Sequence, residues 1–252
     1  MSIEFLTFLR REIHRFLVLY KQTIIPALVS SLLYIIVFGT TLGTRISSID
    51  GVPYINYIVP GLAMMSVINQ AYQNSASSIM QGKYLKFIED FLVAPLSGFE
   101  ISLGYIIGGA IRGLICGLGI LIICLFMTDL KIENYLLTFI YLSTVSWTFS
   151  AFGVIIGIYA KSWDEIGTFT NFVFLPLTFL GGVFYSIDML PEFWRNFSMM
   201  NPLYWMISGL RYATLGIADT SHELSLGISI LFALTFSSLA SYMFAKGYGI
   251  KS

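Results

Sequence analysis

The sequence predicts an all-α polytopic membrane protein with six transmembrane helices. Six long intervals contain no Asp, Glu, Lys or Arg, namely residues 22–44, 51–82, 113–128, 134–160, 167–187 and 224–245. A helix needs roughly 20 mostly apolar residues to cross the hydrocarbon core of a bilayer, and the third interval reaches that length when it is extended back to Glu100. Composition agrees, because 56% of the residues are hydrophobic, 11% are charged and the mean hydropathy is +0.79, whereas a soluble domain carries about 25% charged residues.

A single membrane domain is predicted over residues 1–252, with its elements in the following order. Residues 1–21 form an amphipathic helix, in which apolar residues recur every three or four positions, and we expect this helix to lie in the membrane interface. The predicted spans are residues 22–44, 54–80, 99–127, 134–160, 166–187 and 224–245. A cytoplasmic helix at 83–95 follows the second span, and a re-entrant hairpin at 188–211 follows the fifth.

The placement of basic residues predicts that both termini lie in the cytoplasm. With six spans, nine Lys or Arg residues fall on the side of the amino terminus and four on the other, while Arg112 lies inside a span. This bias fits the positive-inside rule. The 14 basic and 14 acidic residues balance, so the net charge gives no indication of nucleic-acid binding.

The sequence offers no residues for an ATP site or for ion coupling. Gly82-Lys83 resembles the end of a phosphate-binding loop, but Ser77 and Tyr84 stand where the motif requires Gly and then Ser or Thr. A pair of intramembrane carboxylates for proton or sodium coupling is missing, and His14 with His222 provides too few ligands for a metal. We therefore expect no directly bound cofactor and no power source for active transport within this chain.

Residues 83–95 form a predicted amphipathic helix on the cytoplasmic face. The polar side carries Lys83, Lys86, Glu89 and Asp90, and the apolar stripe consists of Leu85, Ile88, Phe91 and Leu92. Pro95 ends the helix, because proline cannot donate to the helical hydrogen-bond ladder. A helix of this kind can contact a partner protein.

The third span combines small residues with one charge. The glycines recur at four-residue spacing, which lets neighbouring helices approach closely; they are Gly104, Gly108, Gly109, Gly113 and Gly117. Arg112 lies among them, and a charge at membrane depth indicates a polar cavity or a partner across the bundle. The alternative is that Arg112 reaches an interface or serves a structural hydrogen-bond network.

The region after the fifth span is too apolar for an ordinary outer loop and is interrupted by Gly181, Gly182, Pro191 and Pro202. Non-helical backbone at membrane depth must be shielded by protein or line a cavity. We therefore expect a re-entrant hairpin of two short helices, with its aromatic residues in the interfacial belt; these are Trp194, Tyr204 and Trp205.

Four short motifs, in this order and on six spans, resemble the ABC type-2 transport permeases, the membrane subunits of exporters for polysaccharides, lipid-linked glycans, drugs and nodulation factors. The motifs are Tyr57-Ile58-Val59-Pro60-Gly61, Asp90-Phe91-Leu92-Val93-Ala94-Pro95-Leu96-Ser97, Leu180-Gly181-Gly182-Val183-Phe184-Tyr185 with Leu190-Pro191, and Asn201-Pro202-Leu203 up to Arg211. The resemblance covers nearly the whole chain.

The resemblance implies a permease subunit that is not itself an enzyme. Such a subunit forms a homodimer in the inner membrane of a bacterium and docks two copies of a separate ABC ATP-binding subunit, through which ATP acts. The implied ATPase-coupling interface comprises Arg10, Arg11, Lys83, Lys86, Glu89, Asp90 and Phe91, and the implied substrate path or gate comprises Arg112, Gly181, Gly182 and Phe184.

Other readings stay open at this stage. A membrane scaffold that recruits a cytoplasmic ATPase needs the same docking helix, and a secondary transporter needs no partner. The substrate class is open among lipid, glycan and drug, because the Phe-rich run carries few polar partners and fits packed core or lipid contact better than sugar stacking; it consists of Phe169, Phe172, Phe174 and Phe179.

Overall fold

The computed structural model describes residues 3–86, 96–217 and 220–248, and these residues confirm the predicted all-α class. The helices are α1 (Ile3–Val18), α2 (Tyr20–Thr23), α3 (Ile25–Thr41), α4 (Tyr54–Tyr84), α5 (Gly98–Met127), α6 (Tyr135–Tyr159), α7 (Trp163–Thr168), α8 (Leu175–Leu180), α9 (Glu192–Met199), α10 (Pro202–Leu215) and α11 (His222–Lys246). A π-helical segment, Phe169–Phe174, joins α7 to α8, and a 3₁₀ turn, Ile187–Met189, precedes α9. Strands β1 (Ser48–Ile49) and β2 (Val52–Pro53) form a small antiparallel hairpin between α3 and α4.

Among the described residues, four helices are long and apolar enough to cross a membrane: Tyr20–Thr41, which unites α2 and α3, and α5, α6 and α11. They occupy the first, third, fourth and sixth predicted spans. At the second predicted span, α4 is 31 residues long but carries many Asn, Gln and Ser residues. The fifth is divided by the π-helical segment and ends at Leu180, before the predicted limit at residue 187. The six-span topology therefore stays a prediction.

The central helix of the bundle is α4. Of its 31 residues 22 are buried, and it packs chiefly against α5 and α6, with α3 and α10 as further neighbours. Two of its polar side chains form hydrogen bonds inside the bundle: Ser75 Oγ lies 2.7 Å from Ser150 Oγ of α6, and Tyr72 Oη donates to the carbonyl of Ile166 at 3.0 Å. Because protein surrounds α4, this helix does not need the apolar surface that a lipid-facing span requires.

The glycines of α5 are packing residues, as predicted. A Cβ atom on Gly109 would collide with the hydroxyls of Ser75 in α4 and Ser150 in α6, and a Cβ atom on Gly113 would collide with Ser146. Small residues at these positions let three helices meet at close range.

Two short helices, α9 and α10, occur where the hairpin over residues 188–211 was predicted, and α10 continues past that limit to Leu215. Asn201, between them, connects the start of α10 to α8, because its Oδ1 accepts from the backbone N–H of Leu203 at 3.0 Å and its Nδ2 donates to the carbonyl of Leu177 in α8 at 2.6 Å. Whether this segment re-enters a membrane stays a prediction. The placement of Tyr204 in an interfacial belt is wrong, since its side chain is fully buried in the bundle.

The aromatic run of the fifth predicted span divides between core and surface. Phe174 is buried, with its ring centroid 4.7 Å from that of Tyr72 and 5.4 Å from that of Phe149. Phe172, two positions earlier, is 77% exposed. Packing and outward exposure thus both occur within one run.

The amino-terminal helix α1 presents an apolar surface on two sides. Phe5, Phe8 and Phe16 are buried against the bundle, and Phe8 fits against Gly104 of α5. The stripe that predicted the helix instead lines an open groove on the other side, at Leu6, Leu9, Ile13 and Leu17. An apolar stripe that the rest of the protein does not cover suits a helix at a membrane interface. The position of α1 at such an interface stays a prediction.

Candidate functional site

Four of the seven residues predicted for ATPase coupling belong to the described part of the chain. Arg10 and Lys86 are exposed. Lys83 has a structural role, because its ammonium group donates to the carbonyls of Ile158 and Ala160 and so connects the end of α4 to the end of α6. Glu89, Asp90 and Phe91 lie outside the described residues, as does the predicted helix from residue 87 onward.

A buried polar cluster connects α1 to α4. The cluster comprises Arg11, Glu12, Arg15, Asn74 and Ser78. Ser78 Oγ donates to Glu12 Oε2 at 2.6 Å, and Arg15 Nη2 donates to the carbonyl and to the side-chain oxygen of Asn74 at 2.8 and 3.1 Å. Arg11 Nη1 lies 3.5 Å from Glu12 Oε1, and Arg15 Nε lies 3.8 Å from Glu12 Oε2. The helix that carries Arg10 and Arg11 is thus held to α4 by hydrogen bonds between its charged side chains and the neutral groups of Ser78 and Asn74.

Gly108 of α5 makes room for this cluster, since a Cβ atom there would lie 3.0 Å from the Cβ of Glu12. Burial raises the pKa of the Glu12 carboxyl above its ordinary value, and Arg15, Ser78 and Arg11 act against that shift. Burial likewise lowers the pKa of Arg15, against the opposing field of Glu12. The cluster was not predicted, but a signal existed: Glu12 lies four residues from both Phe8 and Phe16, on their face of the helix.

Arg112 lies where α5 meets α4 and the beginning of α3, and only 7% of its surface is exposed. Its Nη2 donates to Gln70 Oε1 and, at 3.4 Å, to the carbonyl of Thr23. Its Nε has no hydrogen-bond partner within the described residues, and no carboxylate in them forms an ion pair with it. Arg112 therefore takes part in a hydrogen-bond network while its charge stays uncompensated.

An open groove of about 240 Å³ lies between α3 and α4, and its lining residue Gln70 stands between the groove and Arg112. The α3 side contributes Pro26, Ala27, Ser30, Ser31 and Tyr34, and the α4 side contributes Leu62, Met65, Ser66, Asn69 and Gln70. Gln70 is the link, because it lines the groove and accepts the hydrogen bond from Arg112. We call this space the α3–α4 groove.

The predicted gate residues surround a second buried arginine, Arg211, which is 1% exposed. Arg211 Nη2 donates to the carbonyl of Gly182 at 2.5 Å, and its guanidinium carbon lies 4.1 Å from the centroid of the Tyr57 ring. Tyr54 Oη donates to the carbonyl of Phe184 at 3.1 Å. The turn that follows α8, at residues 181–185, is therefore held by Arg211 of α10 and by Tyr54 at the start of α4.

Glycine is needed both in this turn and in the helix that packs against it. Gly182 has φ of +78°, a region that side chains disfavour. A Cβ atom on Gly61 of α4 would lie 2.8 Å from the carbonyl oxygen of Val183, so the turn and the helix pack backbone against backbone. Three of the four sequence motifs thus meet at one place in the fold.

Arg112 and the gate lie at the two ends of α3 and do not touch. Phe184 packs against Tyr34 and Phe38, with ring centroids 6.4 and 4.9 Å away, near the end of α3. Arg112 bonds to Thr23, just before α3 begins at Ile25. The surface of α3 between these points connects the two predicted parts of the path.

Comparison with known proteins identifies a family and several relatives. The model of the family described as ABC-2 type transporter matches residues 3–215, which include both arginines. The inner membrane transport permease YadH of Escherichia coli (strain K12) is 40% identical over 242 residues, covering 96% of this chain and 94% of that protein. Nodulation protein J of Sinorhizobium fredii (strain NBRC 101917 / NGR234) is 21% identical over 197 residues, covering 78% and 75%. Nodulation protein J of Rhizobium leguminosarum bv. viciae is 23% identical over 213 residues, covering 83% and 82%.

Proposed function

Since the chain belongs to the ABC-2 type transporter family, we propose that it is the permease subunit of an ATP-driven exporter in a bacterial inner membrane. It acts as a homodimer with two separate ABC ATP-binding subunits and moves a lipid, glycan or drug-like molecule outward. The observation that carries the proposal is the alignment of 96% of the chain with a relative named an inner membrane transport permease. The sequence supports it by lacking a phosphate-binding loop, which leaves ATP hydrolysis to another protein.

The proposed topology has six spans and two cytoplasmic termini. The spans are α2 with α3, α4, α5, α6, the segment from α7 to α8, and α11. The polar character of α4 supports this arrangement, because a helix surrounded by protein can cross a membrane without an apolar surface. The nine-to-four bias of basic residues supports the orientation.

The ATPase docks on a cytoplasmic surface in this proposal. This docking surface comprises Arg10, Arg11, Lys83, Lys86, Glu89, Asp90 and Phe91. The polar cluster at Glu12 supports a coupling role for α1. The bond from Ser78 to Glu12 and the bond from Arg15 to Asn74 both join α1 to α4. A displacement of α1 by a closing ATPase would reach the centre of the bundle through these contacts.

The path runs along α3, from Arg112 to the turn at Gly181 and Gly182. In the proposed orientation that turn lies at the outer end, and Phe184 closes the path there. Support comes from the packing of Phe184 on Tyr34 and Phe38, since a shift of α3 against the turn would separate these rings.

Affinity purification from the native membrane tests the proposal. The full-length tagged protein is extracted in mild detergent, the bound proteins are identified, and ATP hydrolysis is assayed. We expect an ATPase at one copy per permease, lost in the double reversal Glu89→Lys with Asp90→Lys. The matched control, Glu192→Lys with Glu223→Lys, adds the same charge at exposed positions on the proposed outer side and should retain the ATPase.

Two outcomes would contradict the proposal. Recovery of the permease alone, together with an uncoupler-sensitive flux, would indicate a secondary transporter. Recovery of the ATPase without any effect of gate substitutions on transport would indicate a scaffold that recruits the ATPase for other work.

A further inference from the structure

Arg112 is a buried cation to which the described part of the chain supplies no anion. Within the described residues its two hydrogen bonds go to neutral oxygens, those of Gln70 and Thr23, and its Nε makes none. The nearby Arg15 is a like charge, and the carboxylate of Glu12 is already engaged by Arg15 and Ser78. A buried charge is stable when an opposite charge and hydrogen bonds compensate its lost hydration. The site is therefore suited to receive an anion.

The α3–α4 groove presents hydrogen-bonding groups in front of this cation. Because Gln70 Oε1 accepts from Arg112, the amide nitrogen of Gln70 stays available to donate to an occupant of the groove. Asn69 Nδ2 donates to the carbonyl of Met65 at 2.9 Å, whereas Asn69 Oδ1 and Ser66 Oγ lack partners among residues 3–86, 96–217 and 220–248. The Gln70 amide therefore suits a head group that carries negatively charged oxygens.

An apolar groove continues from the polar one. It has a volume of about 320 Å³, is lined by Ser30, Leu33, Tyr34, Val37 and Phe38, and shares Ser30 and Tyr34 with the α3–α4 groove. From Pro26 to Phe38 the helix rises about 18 Å at about 1.5 Å per residue. One leaflet of a bilayer with a hydrocarbon core of about 30 Å has a similar depth, about 15 Å.

We propose that the two grooves together bind an anionic amphiphile. Its phosphate or carboxylate interacts with Gln70 and Arg112, and its hydrocarbon chain lies along Leu33 and Val37 of α3. In the topology proposed above, the beginning of α3 faces the cytoplasm, so the ligand comes from the inner leaflet. Binding of the amphiphile does not depend on the proposed function. Only the further step, that the amphiphile is the transported substrate, rests on that function.

Charge argues for this occupant over a second copy of the chain. The exposed residues of α3 include Val29, Leu33 and Val37, so two such helices packed together would bury apolar side chains and leave Arg112 uncompensated. An anionic head group with a chain satisfies both the cation and the apolar surface.

Quenching by brominated lipids tests the proposal. The full-length protein, purified with any ATPase that it retains, carries the reporter Tyr34→Trp and is placed in nanodiscs of phosphatidylcholine. Either phosphatidylglycerol or phosphatidylcholine with dibrominated chains is then added. The signal is the difference between the reporter and the parent chain with its four native tryptophans. We expect half-maximal quenching at about tenfold less brominated phosphatidylglycerol than phosphatidylcholine, as one charge-assisted hydrogen bond provides.

Substitutions at the head-group end decide whether Arg112 causes the preference. Gln70→Glu places a carboxylate of the same shape beside Arg112 and should bring the two lipids to equal quenching, whereas Arg112→Lys should retain a preference. Gln73→Glu, on α4 but outside the lining of the groove, and Arg45→Gln, an exposed charge, are the matched controls and should keep the full preference. Equal quenching in the reporter itself, or a preference that survives Gln70→Glu, overturns the proposal.

Competition and extraction distinguish the sources of the anion. Displacement of brominated lipid by inorganic phosphate would show that the hydrocarbon chain of the lipid does not contribute to binding. It would overturn the proposal that the ligand is an amphiphile. Absence of quenching by both lipids, with Leu33→Cys cross-linking between copies, would mean that a second copy covers the groove and would also overturn it. Mass spectrometry of lipids extracted from the complex separates ordinary anionic phospholipid from another anionic amphiphile, and enrichment of either supports the site.

These measurements need no ATP. A failure to recover an ATPase therefore leaves the lipid preference standing, and a missing lipid preference leaves the proposed function standing.

Discussion

Arg112 and Arg211 are both buried arginines next to α4, yet their surroundings differ. Arg211 has the Tyr57 ring 4.1 Å from its guanidinium carbon and the carbonyl of Gly182 at 2.5 Å. Arg112 has two hydrogen bonds within the described residues, to Gln70 and, weakly, to Thr23. Gln70 stands between Arg112 and an open groove.

The difference separates a structural arginine from one available to a ligand. At the gate the cation joins three segments of the chain, so its removal should be felt as a loss of stability. At the beginning of α3 the cation is incompletely compensated, so its removal should weaken the binding of an anion. The predictions below test this division, beginning with the largest effect.

Arg211→Leu should lower the free energy of unfolding by about 3 kcal/mol, because it removes a desolvated cation–π contact and a charge-assisted hydrogen bond. Arg211→Lys should recover only part of this, since an ammonium lacks the planar fork that reaches both partners. Thermal unfolding in detergent, followed by tryptophan fluorescence, measures the effect. An Arg211→Leu protein as stable as the wild type would show that the contacts at the turn do not hold the gate.

Glu12 provides for Arg15 the carboxylate that Arg112 lacks. Glu12→Leu should lower stability by about 2 kcal/mol, because two arginines and Ser78 lose their shared acceptor. Glu12→Gln imitates the protonated acid and should be milder. Both proteins are compared with the wild type by thermal unfolding at several pH values.

The sign of the pH effect follows from the raised pKa of the Glu12 carboxyl in the folded chain. Its contribution is fully present below the ordinary carboxyl pKa and is lost as the pH rises through the higher folded value. The stability of the wild type relative to Glu12→Gln should therefore increase as the pH falls toward 4.5. A difference that is independent of pH would show that Glu12 keeps an unperturbed pKa.

Gly182→Ala should cost about 1–2 kcal/mol, because a side chain disfavours the positive φ of this turn. The new Cβ would also lie 3.0 Å from the carbonyl oxygen of Tyr185. Gly167→Ala is the matched control, since nothing lies within 4 Å of a Cβ at that position. Equal unfolding temperatures for the two variants would argue that the turn is free to change shape.

The sequence predicted the helices well where apolar length alone decides. Three of the four apolar helices follow from charge-free intervals and α5 follows from one that is extended back through Arg112 to Glu100, and the packing role of Gly109 and Gly113 follows from their spacing. Sequence motifs also placed Gly182 and Arg211 in one region, although nothing local revealed that Arg211 bonds to the turn, since 29 residues separate them.

Other features depend on tertiary contacts that no local pattern encodes. In the sequence, Glu12 is only a charged residue in an amphipathic helix. Its role depends on a hydrogen bond from Ser78, which is 66 residues away. The division of the fifth predicted span by a π-helical segment is equally hidden, because no Gly or Pro within Phe169–Phe174 marks the change of helix type. Periodicity identified the outward face of α1 and missed the inward one, because the inward face combines phenylalanines with a buried acid.

Arg112→Leu should have the smallest effect on stability, within about 1 kcal/mol of the wild type, because removal of an uncompensated buried charge offsets the loss of its bonds to Gln70 and Thr23. In nanodiscs that contain phosphatidylglycerol, the wild type should gain stability from the bound lipid and the variant should not. Thermal unfolding in phosphatidylglycerol and in phosphatidylcholine measures both quantities. A loss in phosphatidylcholine as large as that of Arg211→Leu would make Arg112 a second structural arginine. A near-neutral change there, together with a missing gain in phosphatidylglycerol, would establish that one buried arginine holds the fold and the other waits for an anion.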